Sequence, residues 1–114
     1  MMARGFRPLS AGLAVLGLLC ALALPAHAGE TAEVVMEKMT FVPQHLKVKA
    51  GTTVIWVNQE KRTSHSVYFE KEGLPESDRM FSGEKWRRTF DRPGTYPYRC
   101  GPHEEMTGVV EVTE

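Results

Sequence analysis

Gly94-Thr95-Tyr96-Pro97-Tyr98-Arg99-Cys100-Gly101-Pro102-His103-Glu104-Glu105-Met106 is the stretch on which the reading of this 114-residue chain turns. Its first half alternates: Tyr96, Tyr98 and Cys100 share one parity and Thr95, Pro97 and Arg99 the other, the period of a strand with one buried face. That parity points Cys100 inward at the strand's end and Arg99 toward solvent. The second half sets a thiol, an imidazole and a thioether at i, i+3 and i+6, which converge on one point only if the loop curls around it. Upstream, Ser64-His65-Ser66-Val67 supplies another imidazole at the head of an apolar run. Cys100, His65, His103 and Met106 together offer one thiolate, two imidazoles and one thioether, a donor set suited to a copper ion. Soft sulfur suits Cu(I) and imidazole is acceptable to Cu(II), so neither oxidation state is strongly excluded.

Outward from that stretch the chain keeps the period of strands. Gly108 to Val112 alternates and closes the chain. Lys85 to Phe90 and Thr95 to Cys100 read as a strand pair joined across Asp91-Arg92-Pro93-Gly94, a strong turn signal. Ser64 to Phe69 reads as a strand with His65, Val67 and Phe69 on one face. Glu70 to Ser82, with Gly73, Pro75 and many charges, reads as the longest irregular segment, with room for a short helical turn. Thr52 to Asn58 is apolar on both parities, which predicts a central strand with both faces covered. Leu46 to Lys49, Val34 to Met36 and Met39 to Val42 complete the set, Pro43 ending or bulging the last. No stretch sustains a helical period beyond a turn or two. The fold class is therefore all-β: about seven short strands in a two-sheet, Greek-key sandwich.

The first residues carry Arg4 and Arg7 and no acid, Leu9 to Leu24 is almost wholly apolar or small, and Ala26-His27-Ala28 offers small residues around a cut. This predicts a secretory signal peptide over 1–28, too short and too clearly terminated for a membrane span, and a single domain over 29–114. Leu19 before Cys20 is too bulky for a lipoprotein cleavage site. The exported domain has 86 residues and one cysteine, Cys100, so it forms no internal disulfide. A lone thiol in an oxidising compartment calls for a reason, and metal ligation supplies one. The domain carries 12 basic and 14 acidic residues, mixed along the chain, with no nucleic-acid patch.

Other conspicuous residues have plainer readings. His45 reads as a surface histidine, and Glu104 and Glu105 as a solvated surface. Met36, Met39 and Met80 are scattered and read as core filling, with Met39 able to border the metal pocket. Trp56, Trp86, Phe41, Phe69, Phe81, Phe90, Tyr96 and Tyr98 read as core or its rim.

Three motifs resemble one family. Met39-x-Phe41-x-Pro43, the run from Ala50 to Asn58, and Gly94 to Cys100 followed by Cys-x-x-His-x-x-Met are similar to the cupredoxins, the small type 1 blue-copper proteins. The loop has the short amicyanin form; plastocyanins and pseudoazurins place two more residues between His and Met. The resemblance implies that His65, Cys100 and His103 form the ligand plane and Met106 the axial contact, with His65 buried and His103 at the surface as electron port. Relatives usually carry Asn after the first His and Ser or Thr after the Cys, where this chain has Ser66 and Gly101. A surface Tyr that serves a second route in plastocyanin is Arg99 here.

The function so implied is a periplasmic carrier of single electrons, using one copper ion that cycles between Cu(I) and Cu(II). It is not an enzyme, because four protein ligands leave no open position for substrate. The expected partners are redox proteins such as a c-type cytochrome or a periplasmic oxidoreductase, and the expected state is a monomer without nucleic acid or membrane span. Glu104 and Glu105 beside His103 favour a partner with a basic rim. Periplasmic copper binding and delivery is the alternative, and a metal-free structural sandwich the third reading.

Overall fold

The computed structural model describes residues 29–114, so the signal peptide expected over 1–28, with Cys20, lies outside the described residues. Alternation builds the elements. In β1 (Thr31–Glu37) Val34 and Met36 are buried, in β2 (Thr40–Val42) Phe41, and in β3 (His45–Lys49) Val48. β4 (Thr52–Asn58) turns Thr52, Val54, Trp56 and Asn58 inward. β5 (Lys85–Phe90) buries Phe90, β6 (Gly94–Arg99) Tyr98, and β7 (Thr107–Thr113) Gly108, Val110 and Val112.

These strands form one sheet in the order β2-β1-β4-β5 and a second in the order β3-β7-β6. β1 and β4 run parallel, as do β3 and β7; the remaining pairs are antiparallel. Apolar faces on both sheets need a partner, and each covers the other. The all-β sandwich expected from the sequence is therefore present, with seven strands and no α-helix among the described residues. The helical turn allowed for after Phe69 is a single turn of 3-10 helix over Glu70–Glu72. β2 ends at Val42, before a cis bond to Pro43.

Several expectations are corrected. Lys85 to Phe90 and Thr95 to Cys100 do not pair: β5 lies at the edge of the first sheet and β6 at the edge of the second. Turn residues bend the chain without saying which sheet follows. Phe90 and Tyr96 both face the core, their rings meet edge-on at 5.1 Å, and β6 takes its ladder from β7. Ser64 to Phe69 is not a strand either; His65 bridges Met80 and Tyr68 bridges Arg99 as isolated pairs. Between them the backbone N–H groups go to side chains, Ser66 to Cys100 Sγ and Val67 to Ser77 Oγ, so no continuous ladder forms. β4 is central, but its outward Thr53 and Ile55 are only half-buried. Phe81 is 61% exposed and Met39 42%, so neither fills the core. Phe81 follows Met80, which faces inward, and Met39 sits on the β1–β2 turn.

An aromatic cluster occupies the centre. Trp56 is fully buried and meets Tyr98 at 5.4 Å, Phe69 at 6.0 Å and Trp86 at 5.4 Å. Tyr98 lies opposite Gly108 in the β6–β7 register, and a Cβ on that glycine would stand 2.5 Å from the phenol oxygen. A larger residue at 108 would force Tyr98 or its surroundings to give way.

Candidate metal centre

Asn58, the last residue of β4, organises the first half of the site. Fully buried, it donates through Nδ2 to the carbonyls of Thr63 (2.9 Å) and Met80 (2.8 Å), and its Oδ1 accepts from the Glu60 N–H at 2.8 Å. These bonds fold the polar loop back on itself. His65 follows, its N–H donating to Met80 O at 3.1 Å while Met80 N–H donates to His65 O at 2.7 Å. The imidazole is fully buried and its Nε2 stands 2.6 Å from Glu60 Oε1. With Nε2 as donor to the carboxylate, Nδ1 is left as a free lone pair, the arrangement usual for a metal-binding histidine.

Glu60 has a second task. Its Oε1 also accepts from Met39 N–H at 3.0 Å. Met39 and Lys38 form the two-residue link between β1 and β2, and both have positive φ, 59° and 50°. Such a turn is usually filled by Asn and Gly, and side chains like these are strained there. Thr40 Oγ1, donating to Glu37 O at 2.8 Å, and the Glu60 carboxylate hold it. The hydrogen bond from His65 holds the Glu60 carboxyl below the usual carboxylate range, against the opposing effect of burial and with help from Met39 N–H.

The second half is the loop from Cys100 to Met106. Cys100 N–H donates to Met106 O at 2.9 Å and Met106 N–H to His103 O at 3.0 Å, so the loop closes on itself as the i, i+3, i+6 spacing demands. Cys100 Sγ lies 3.6 Å from His65 Nδ1 and 3.5 Å from His103 Nδ1. Donor atoms of the three residues all lie within 4.8 Å of one another, and the two imidazoles meet at 5.1 Å between centroids. Donor atoms this close could share one ion. Met106 is buried in the same core cluster. Two nitrogens, a thiolate and a thioether with no carboxylate among them fit copper.

All four sequence-predicted residues, His65, Cys100, His103 and Met106, are therefore brought together. His65 is buried and His103 half-buried, while Pro102, Glu104 and Glu105 are exposed. His45 is a surface residue, as expected, 2.9 Å from Glu111. Arg99 does not point freely to solvent. Its Nε donates to Glu70 at 2.8 Å, its Nη1 to the carbonyls of Cys100 and Gly101 at 3.0 Å each, and its guanidinium lies 5.0 Å from the Tyr68 ring centre. The side chain braces the loop from outside.

The sequence reading missed Glu60, Glu76 and the organising role of Asn58. Ser66 Oγ accepts from Gly101 N–H at 2.9 Å and donates to Glu76 Oε2 at 2.6 Å, so the two ligand segments are tied despite lacking the residues that usually do it. A metal-binding histidine needs a partner on its outer nitrogen. That rule could have pointed to an acid in the loop before His65, whereas nothing local marked Glu76.

This sandwich and site define a small copper protein of the cupredoxin class. Residues 28–113 match the family described as copper binding proteins of the plastocyanin/azurin type, and the chain belongs to that family. It is 38% identical over 91 residues to amicyanin-alpha of Methylorubrum extorquens, covering 76% of this chain and 75% of that protein. To amicyanin of Paracoccus versutus it is 37% identical over 81 residues, covering 68% of this chain and 61% of the relative's length. Among solved structures, the Cu(I) form of a methionine-to-alanine variant of amicyanin is similar at a TM-score of 0.69 and 35% identity, over 75% of this chain and 84% of that one. Copper is accordingly the cofactor of this fold.

Proposed function

We propose that the protein is a periplasmic carrier that passes single electrons between redox proteins, using a copper ion that His65, Cys100, His103 and Met106 would hold. When bound, copper supplies a one-electron couple between Cu(I) and Cu(II). The observation that carries the reading is the asymmetry of the two histidines. His65 is sealed and oriented by Glu60, whereas His103 is half-buried on a loop with exposed neighbours. An electron needs only a ligand edge near the surface; a substrate would need an open coordination position, which four protein donors leave no room for.

The protein's own residues hold the donors in place. Glu60 fixes the His65 ring, the Cys100–Met106 and Met106–His103 backbone bonds fix the loop, and Ser66 N–H, 3.4 Å from Cys100 Sγ, donates toward the sulfur. A donor aimed at a thiolate withdraws electron density from it and so helps set the potential. Glu104 and Glu105 are exposed beside His103 and favour a redox partner with a basic rim, such as a c-type cytochrome. Arg4, Arg7, the apolar run and Ala26-His27-Ala28 support export. No helix among the described residues is long and apolar enough to cross a membrane.

The test is to add Cu(II) to the metal-free protein. An intense blue band, a reversible one-electron couple and loss of the band in Cys100→Ser are expected. Tight, colourless Cu(I) binding without a couple would replace this reading by copper delivery, and no uptake would leave a structural sandwich.

A further inference from the structure

The Ser66 side chain lies between the two segments that supply the donors. It is fully buried, and its hydroxyl accepts from Gly101 N–H at 2.9 Å while donating to Glu76 Oε2 at 2.6 Å. Its own backbone N–H points at Cys100 Sγ, 3.4 Å away. A serine has one proton to give. The distance to Glu76 is that of a charge-assisted O–H···O bond, so that proton is committed outward and a lone pair is left facing Gly101. Without the carboxylate the hydroxyl would be free to rotate.

Glu76 arrives from a third segment. Ser77 N–H donates to Val67 O at 3.0 Å and Ser77 Oγ accepts from Val67 N–H at 2.9 Å, which places residue 76 beside residue 66. Gly101 provides the space. A Cβ built on it would overlap Oε2 and Cδ of Glu76 and stand 2.8 Å from Oε1. Gly101 is not among the residues with positive φ, so its backbone does not call for glycine; the carboxylate does. Arg79 Nε is 3.9 Å from Oε2, a loose pairing that leaves Ser66 the closer partner.

From this arrangement we propose that Glu76 is a positioning residue of the metal centre. Acting through Ser66, it locks Gly101 and the adjoining Cys100 backbone to the His65 segment, and its negative charge favours the more highly charged state of the ion. Glu76 and Gly101 therefore work as a pair. The inference rests on the copper reading above, so its test has a part that needs no copper.

In the metal-free protein, Glu76→Ala should speed hydrogen exchange at Gly101 N–H by about tenfold or more, the loss expected for a charge-assisted bond. Glu76→Gln keeps an acceptor oxygen and should restore most of the protection. Gly101→Ala alone should lower the urea midpoint, and should cost much less when Glu76→Ala is also present, because the added methyl then has room. In the copper-loaded protein both Glu76 variants should raise the reduction potential, while Glu76→Ala alone shifts the thiolate-to-copper band.

Equal cost of Gly101→Ala with and without Glu76 would overturn the pairing. Coupling in that cycle with an unchanged potential and band would overturn the positioning role, leaving a structural contact. A wild-type chain that takes up no copper would overturn the proposed function, and the positioning role with it, even if the metal-free cycle couples.

Discussion

The two segments that meet at the metal centre are held in opposite ways. His65 is fixed from within: Asn58 folds the loop before it, Met80 pairs with its backbone and Glu60 grips its ring, all around a fully buried imidazole. The Cys100–Met106 loop is fixed by its own backbone bonds, braced from outside by Arg99 and tied to the His65 segment by the buried Ser66 hydroxyl, with Pro102, Glu104 and Glu105 exposed. One segment supplies a single donor and a rigid reference. The other carries Cys100, His103 and Met106 on a loop whose outer residues are exposed. A small domain can thus vary its docking face on a loop while the buried half keeps the ion's position.

The sharpest way to break this contrast is to loosen the rigid half. Glu60→Ala leaves His65 Nε2 and Met39 N–H without their shared acceptor, and copper affinity should fall by about 10–100-fold, the usual effect of losing a partner behind a metal-binding histidine. Competition with a Cu(I) chelator measures it; an unchanged affinity would mean that the Glu60 bond does not orient the ring. The same carboxylate links metal-free stability to pH. Its folded pKa is lowered, so its contribution is fully present above the unfolded carboxylate range and is lost as pH falls through the lower folded value. Urea midpoints should therefore drop in acid, and Glu60→Gln should flatten that drop.

A milder change on the exposed half leaves the ion alone and alters the encounter. Replacing both Glu104 and Glu105 by Gln should leave the blue band in place and slow reduction by a basic partner, by about tenfold or less at low salt, with a weaker dependence on ionic strength. Stopped-flow rates across a salt series decide it. Rates that respond equally to salt in both proteins would put the docking face elsewhere.

What the sequence disclosed follows the same divide. The loop was legible because its donors are close in the chain and their chemistry is uncommon: Cys100, His103 and Met106 announce themselves at fixed spacing. His65 was legible only beside them. Its support was not, because Glu60 and Glu76 are ordinary acids in polar stretches, and only the tertiary structure brings their carboxylates to His65 and Ser66. The sandwich was legible from strand period, yet the crossing at Asp91-Arg92-Pro93 was read as a hairpin, since local turn chemistry carries no information about which sheet the next strand joins. Ser64 to Phe69 alternates like a strand, and side-chain acceptors took the N–H groups its ladder would have used.

Both segments rest on a shared floor, where the contrast should vanish. Phe69, just beyond the His65 bridge, and Tyr98, two residues before Cys100, meet at 5.2 Å between ring centres. The Tyr98 hydroxyl is buried and, with Trp56 Nε1, lacks a hydrogen-bond partner among the described residues. Burial pushes its pKa well above the ordinary phenol range. A buried hydroxyl without a partner adds desolvation cost and no bond, so Tyr98→Phe should leave stability at neutral pH within about 1 kcal/mol of wild type. The sign at high pH is fixed by linkage. With the folded pKa raised, the Tyr98 contribution is fully present below about pH 10 and is lost as pH rises beyond it, because the unfolded chain ionises first. The phenylalanine variant should lose that part of the alkaline fall in the urea midpoint. A cost above about 2 kcal/mol at neutral pH would show instead that the hydroxyl has a partner, and that the floor under the two segments is held by a polar contact rather than by packing alone.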